Sequence, residues 1–286
     1  MATPENRADL RNLIRARLSA WVDDQGTLGA AISTTTATSL TLAAALDISE
    51  KALLQIDDEV IRVRTYVAAG TSVGSVIRGD RGSTAATHSN GATVKVFPFW
   101  GWTDFCINRE IDLALDWLYP EVWYLQTVTS TLLSGYTDFG LPSGCIYPTG
   151  KIVKRVEFLD TNSVYREILG WKHVNDRLIL SKKTTKDYDA RLWIQGKHAR
   201  MTSDSTQLTN QDPVEAIVLR ACAGLLEQLL ANRVRYVEYS AALNDRASTP
   251  DELQRQAYYF KNQAVVEKDR VSRPPLSGLA STRRTG

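Results

Sequence analysis

The residues with the most chemical promise are acids and a histidine. Asp57, Asp58 and Glu59 stand side by side, and carboxylates are the usual material of a hard-cation site. Neighbours on a strand point to opposite faces, so the triplet makes a poor cage, and a polar cluster at a strand end is the better expectation. His88 could shuttle a proton, but no base, nucleophile or second ligand lies near it in sequence. A hydrogen bond that anchors a loop accounts for it more simply. Glu157 and Glu167 are the one acid pair on neighbouring strand-like segments that could serve as the two carboxylates of a glycoside hydrolase, yet nothing sets them apart from surface residues. Cys106, Cys145 and Cys222 are odd in number and far apart, which suggests neither a disulfide framework nor a CxxC metal site. Cys106 and Cys222 fall inside helical patterns and read as small buried hydrophobes. Arg7, Arg11, Arg15 and Arg17 could touch phosphate, as could the tip Lys182-Lys183-Thr184-Thr185-Lys186. Charge runs of this kind more often form a solvated or subunit-facing side. No catalytic, metal or cofactor constellation emerges, so a structural protein is expected and not an enzyme.

With 286 residues the chain can hold one large domain or two to three small ones. A formal net charge of +2 excludes a polycation built to coat DNA. The first residues carry no apolar run of the secretory kind. No stretch approaches the roughly 20 apolar residues that cross a membrane. The cysteine usage fits synthesis in a reducing cytoplasm.

The elements that would position these residues are helices and short strands. Apolar spacings of three and four predict helices at about 4–22, 103–118, 212–231 or beyond, and 250–271. Thr3-Pro4-Glu5, Asp212-Pro213-Val214-Glu215 and Thr249-Pro250-Asp251-Glu252 read as helix starts, and Thr103 as an N-cap. In the first helix the apolar stripe is Leu10, Leu13, Ile14, Leu18 and Trp21. Tryptophans and tyrosines crowd residues 100–124, where core or interface packing is favoured over base stacking. Between the helices, short alternating strands are punctuated by Gly79-Asp80-Arg81-Gly82 and Asn90-Gly91, and again at Pro142–Gly144, Asp160–Asn162, Asn175-Asp176 and Lys182–Asp187. The second set suits a sandwich or barrel-like sheet of six or so strands. The expected fold is α+β. A helical core (1–26, 99–121 and 205–272) carries a small antiparallel β module (27–98) and a second β domain (122–204), with an extended tail (273–286). That tail holds Arg273, Arg283 and Arg284, no acid and little to bury, and alone it should be disordered.

Three motifs carry a resemblance. Ile56-Asp57-Asp58-Glu59-Val60-Ile61-Arg62-Val63, then Val76 to His88 with Arg78-Gly79-Asp80-Arg81-Gly82 and Thr84-Ala85-Ala86-Thr87-His88, then Gly91-Ala92-Thr93-Val94, resemble a β module of tailed-bacteriophage virion proteins. The order of helices, β insertions and tail is similar to that of head-to-tail adaptor (connector) proteins, in particular the tubular gatekeeper of short-tailed phages. The resemblance implies a virion protein of the neck, assembled in the host cytoplasm into a ring, conventionally a dodecamer. Such a ring docks beneath the portal protein, presents its other end to a tail or nozzle component, and passes double-stranded DNA without reading its sequence. It implies no cofactor and no membrane. Portal contact would fall to the last helix and tail: Tyr258, Tyr259, Arg270, Arg273, Pro274, Pro275, Arg283 and Arg284. Another tail, baseplate or fibre-attachment protein is the alternative, and a cell-wall-degrading virion enzyme a lesser one.

Overall fold

Local capping decides where each helix begins. Helix α1 (Arg7–Leu18) opens at Asn6; Thr3 and Pro4 of the expected start lie outside the described residues. Asn6 Oδ1 accepts the amide of Asp9 at 3.0 Å, and Asp9 Oδ2 accepts the amide of Asn6 at 3.1 Å. Helix α2 (Asp104–Leu118) is capped by Thr103, whose Oγ1 accepts from the amide of Cys106. Pro213, not Asp212, occupies the N-cap position of α3 (Val214–Ala231). Glu215 binds Arg17 at 2.6 and 2.8 Å rather than folding back on the chain. Asn232 has extended backbone angles (φ −111°, ψ 95°), which breaks the helix there. Its side chain accepts from the amide of Arg235 and restarts the chain as α4 (Arg233–Ala242). Helix α5 (Pro250–Ser272) has the reciprocal box its sequence promised: the Thr249 amide donates to Glu252 Oε2 at 2.7 Å and the Glu252 amide to Thr249 Oγ1 at 3.2 Å. The described residues thus form five helices, where the spacing predicted four.

The computed structural model describes residues 5–18, 22–66, 70–119, 121–122, 124–141, 153–160, 163–174, 177–196, 198–208, 212–242 and 249–272. They fall into two units: one runs to Leu118 and resumes at Ala199, and the other is Tyr119–His198.

In the first unit, six strands form one antiparallel sheet: β1 (Asp24–Thr27), β2 (Leu40–Thr41), β3 (Leu53–Ile56), β4 (Glu59–Tyr66), β5 (Ser72–Ile77) and β6 (Thr93–Phe97). Their order is β1-β6-β3-β4-β5-β2. The two edges meet only at a single bridge, Leu28–Leu42. β1 begins inside the segment 1–26 that was expected to belong to the helical core. Leu54, Ile56, Ile61, Val63, Val73 and Val94 fill the interior of this sheet. Leu53, Val60 and Phe97 pack instead with Phe99 and Phe105, at the start of α2.

The helices bury a separate set. α3 is apolar on nearly all sides, as a central helix must be, with Ile217, Val218, Ala221, Cys222, Leu225 and Leu229 inaccessible. Gly224 leaves room for the Glu110 side chain of α2, which a Cβ there would meet. α5 contributes Leu253, Ala257, Phe260 and Ala264. Trp102 is 1% exposed and donates its indole N–H to Leu225 O at 3.3 Å. Trp100 and Tyr239 meet edge to face at 5.1 Å. At Trp100 and Trp102 the aromatic cluster is therefore packing, as expected.

The described residues of the second unit form seven strands: β7 (Tyr124–Leu132), β8 (Asp138–Gly140), β9 (Val153–Leu159), β10 (Tyr165–Glu167), β11 (Trp171–Val174), β12 (Arg177–Leu180) and β13 (Tyr188–Gly196). They make a four-stranded sheet, β10-β9-β13-β7, and a three-stranded sheet, β11-β12-β8. Both contribute to one core of Leu132, Phe139, Val156, Leu178, Leu192 and Ile194. Two sheets over one core form a sandwich, and no closed barrel occurs among the described residues. The turns expected at Pro142–Gly144 and Asn175-Asp176 lie outside the described residues.

Candidate assembly interface

The acids and histidine of the β module are brought together by a hairpin. β3 ends at Ile56, Asp57 turns with φ 52°, and β4 begins at Glu59. The turn, and not strand alternation, sends Asp57 and Glu59 toward one point. His88 sits there with its side chain 1% exposed. Its Nδ1 is 3.0 Å from Asp57 Oδ2 and its Nε2 is 2.8 Å from Glu59 Oε2. Both partners lie about thirty residues away in sequence, so the local reading of His88 missed them. Glu59 also accepts from Arg78 Nε and Nη2, each at 2.7 Å, and from the amides of Gly79 (3.1 Å) and Ala86 (3.0 Å). Burial pushes the Glu59 carboxyl up, but the hydrogen bonds from Arg78, Ala86 and His88 and the Arg78 charge outweigh it and hold it below the ordinary value. Ser83 Oγ closes the same loop by accepting from the amide of Val60 at 2.9 Å. The recurrent motif therefore makes the module's own polar centre. Among the described residues no group of acids, histidines and cysteines has the arrangement of a metal site.

The arginines of α1 were expected on a solvated or subunit-facing side, and two of them are buried. Arg11 and Arg15 are 7% and 5% exposed, while Leu13, expected in the apolar stripe, is 40% exposed. Arg15 donates to Asp104 Oδ1 at 2.6 Å, and Lys95 to Asp104 Oδ2 at 2.6 Å. Burial raises the Asp104 carboxyl, but the Lys95 hydrogen bond and the charges of Arg11, Arg15 and Lys95 bring it below its ordinary value. Arg11 grips Asp204 with two bonds of 2.6 Å. That bond, joined by Arg7 and resisted by partial burial, holds the Asp204 carboxyl at about 2. An open cavity of about 420 Å³ lies over this network, walled by Arg7, Arg11, Lys95, Asp57, Asp104 and Asp204. Its charges pair across it, which suits a clamp between α1, α2 and the 202–204 loop.

Glu157 and Glu167 face each other across β9 and β10. Glu157 is 3% exposed and accepts from Arg191, from Trp193 Nε1 at 2.8 Å and from Arg155 Nη2 at 2.7 Å. Burial favours its neutral form, but the Trp193 and Arg191 hydrogen bonds and the Arg155 and Arg191 charges prevail and lower its pKa. These partners commit the Glu157 carboxylate to holding β9 against β13. Lys182, Lys183 and Lys186 are exposed on a loop, as the sequence suggested.

The partner-facing residues expected on α5 are exposed. One side of the helix buries Leu253, Ala257, Phe260, Ala264 and Lys268. Lys268 Nζ donates to Trp117 O at 2.8 Å and lies 4.4 Å from the Trp117 ring centre. The other side presents Tyr258 (65% exposed), Tyr259 (58%), Val265 (45%) and Val266 (57%). These occur at 258/265 and 259/266, seven residues apart, so they form a stripe along two turns. Arg270 is exposed but bound to Glu267 at 2.7 Å. α4 adds Val234 and Val237, both more than half exposed, a feature that the α4 sequence did not flag. Arg273, Pro274, Pro275, Arg283 and Arg284 lie outside the described residues.

No protein-family model matches the chain, and neither does any curated protein. Among solved structures the chain is similar to one described as the neck of an empty GTA particle computed with C6 symmetry. The two are 14% identical over 56% of this chain and 80% of that one, with a TM-score of 0.22, a loose likeness.

Proposed function

We propose that the chain is a structural protein of the neck of a phage-like particle, an adaptor ring between portal and tail through which the genome passes, and not an enzyme. The two-sidedness of α5 carries this reading. One face is spent on the protomer's own core, and the opposite face holds two exposed tyrosines and two exposed valines. Apolar aromatic stripes of this kind belong to protein contacts. α5 then runs directly into the arginine-rich stretch Arg273–Gly286. In this reading α3 and α5 form the wall of each protomer. Tyr258, Tyr259 and Arg270, with Arg273, Pro274, Pro275, Arg283 and Arg284, reach the portal. Glu59 and Glu157, the buried acids of the two β regions, are bound to arginines, which leaves them to hold structure. A near-neutral chain also suits a conduit, because a strongly basic bore would bind phosphate and retain DNA.

The test is direct. The protein is mixed with its portal and imaged by negative stain, and a coaxial ring, dodecameric on this proposal, is expected. Removal of residues 273–286 should abolish portal binding while the circular dichroism spectrum stays unchanged. A truncated chain that binds the portal as well as the full one refutes the role of the tail. A peripheral or trimeric assembly would favour the fibre-attachment alternative, and a cleared zone on cell wall would favour an enzyme.

A further inference from the structure

Four arginines gather where the β module meets α2 and α4, around the turn Phe99–Gly101. Arg81 Cζ and Arg62 Cζ lie 5.0 and 6.0 Å from the centre of the Phe99 ring. Arg81 Nη2 donates to Phe99 O at 2.6 Å, and Arg109 Nη1 to Arg81 O at 3.3 Å. Arg235 enters from α4, is 3% exposed, and donates through Nη2 to Trp100 O at 2.9 Å and Gly101 O at 3.3 Å. Arg81 itself is held in the left-handed region (φ 59°) inside the Gly79–Gly82 turn.

The charge at this place is not balanced. Among the described residues, Asp80 is the carboxylate in close contact, 3.2 Å from Arg62 Nε. Glu110 approaches Arg109 only at 4.0 Å and hydrogen-bonds Gln228. Glu59 on β4 is taken by Arg78, and Glu238 on α4 by Lys51. Among the described residues, the buried Nε groups of Arg81 and Arg235 have no hydrogen-bond acceptor. Burial, and for Arg235 also the Arg81 charge, depresses both guanidinium groups, Arg235 to about 10. Half-buried positive charge without a counter-ion is unfavourable, and a fold that retains it has a use for an anion there. The rim is open to solvent, since the side chains of Arg62 and Arg109 are 34% and 43% exposed.

We propose that Arg62, Arg81, Arg109 and Arg235 form a binding site for a compact oxyanion of the phosphate type. The guanidinium fork matches the paired oxygens of such an ion. Arg81 and Arg235 bind successive carbonyls of one turn, Phe99–Gly101, and Arg109 binds the Arg81 carbonyl, so the cations gather about one turn and not along a stripe. Duplex DNA needs several cations spaced along its backbone, so a free or terminal phosphate group fits better than the middle of a duplex. The proposal is independent of the neck reading and stands or falls without a portal.

Inorganic phosphate is the probe, titrated into the full-length protein at constant ionic strength, with calorimetry and thermal melting as readouts. A saturable heat and a melting temperature that rises with phosphate are expected. Arg62→Gln and Arg109→Gln should each weaken the affinity about 10-fold, as loss of a charge-assisted hydrogen bond does. Both side chains are partly exposed, so the variants should fold, and Lys183→Gln, an exposed cation of the second unit, serves as the charge-matched control. No saturable response, an adventitious ion only, or an equal response in Arg109→Gln overturns the proposal. A short DNA duplex that displaces phosphate with a steep salt dependence also overturns it, in favour of a DNA contact.

Discussion

Glu59→Gln tests whether the β-module motif is structural. The substitution replaces one carboxylate oxygen by an amide that donates, and it removes the charge opposite Arg78. Glu59 accepts five hydrogen bonds: two from Arg78, two from the amides of Gly79 and Ala86, and one from His88. Three of these meet Oε2 and two meet Oε1, so either placement of the amide sets donor against donor at two positions or more. The site is closed to water, with Glu59 0% and Arg78 8% exposed. Breaking a buried pair by removing one charge costs roughly 3–5 kcal/mol. A unit of roughly 150–250 residues melts about 2–4 °C lower for each kcal/mol lost. A fall on the order of 10 °C is therefore expected in differential scanning calorimetry, with faster amide exchange concentrated in residues 56–60 and 78–88. The acid limb follows from the lowered carboxyl of Glu59. Its contribution is complete above the ordinary glutamate value and is lost as pH falls through the depressed folded value, so wild type and Glu59→Gln should converge in acid. A Glu59→Gln protein within about 1 kcal/mol of wild type would refute the argument. If it were fully stable yet unable to assemble, the motif would be an interface and not a folding centre.

Three further outcomes follow from buried and half-buried groups. Asp104→Asn should cost about 3–5 kcal/mol, measured by urea unfolding, because it strands Arg15 and Arg11 in the interior. Asp204→Asn should cost only about 1 kcal/mol, because its carboxylate is 56% exposed and solvent screens the pair. The Asp204 carboxyl is depressed to about 2 from 3.8, so its contribution is intact above pH 3.8 and disappears toward pH 2, and a wild-type acid titration lacking that loss would contradict it. Burial pushes the Cys222 thiol up to about 12, so iodoacetamide at pH 8 should leave Cys222 unlabelled by mass spectrometry until denaturant is added. Labelling of the native protein at the rate of an exposed thiol would disprove the burial of α3.

The features legible along the chain were local ones, set by neighbours within one turn of helix or one hairpin. The Thr249–Glu252 box, the Thr103 cap, the glycine-marked turns and the buried face of α5 all depend on contacts three or four residues apart. Even at this range the α3 start differed, since Pro213 took the N-cap position, offering no N–H for Glu215, which binds Arg17 instead. Of the two ends that the spacing left open for this helix, a break near Asn232 or a run on to Tyr239, the break occurs. Tertiary structure alone decided the charges. Arg11 reaches Asp204 across 193 positions, Arg15 reaches Asp104 across 89, and His88 meets Glu59 across 29. Spacing along a chain holds no information about such pairs, because an ion's partner is chosen by which elements the apolar core brings side by side. For the same reason the arginines of α1 read as a solvated or subunit-facing side and two of them, Arg11 and Arg15, proved buried, while Arg62, Arg81, Arg109 and Arg235 look unrelated in the sequence and gather about one turn in the fold. The outer stripe of α5 stands between the two cases. Its tyrosines were legible as candidates, and their exposure was decided only when α3 covered the opposite side.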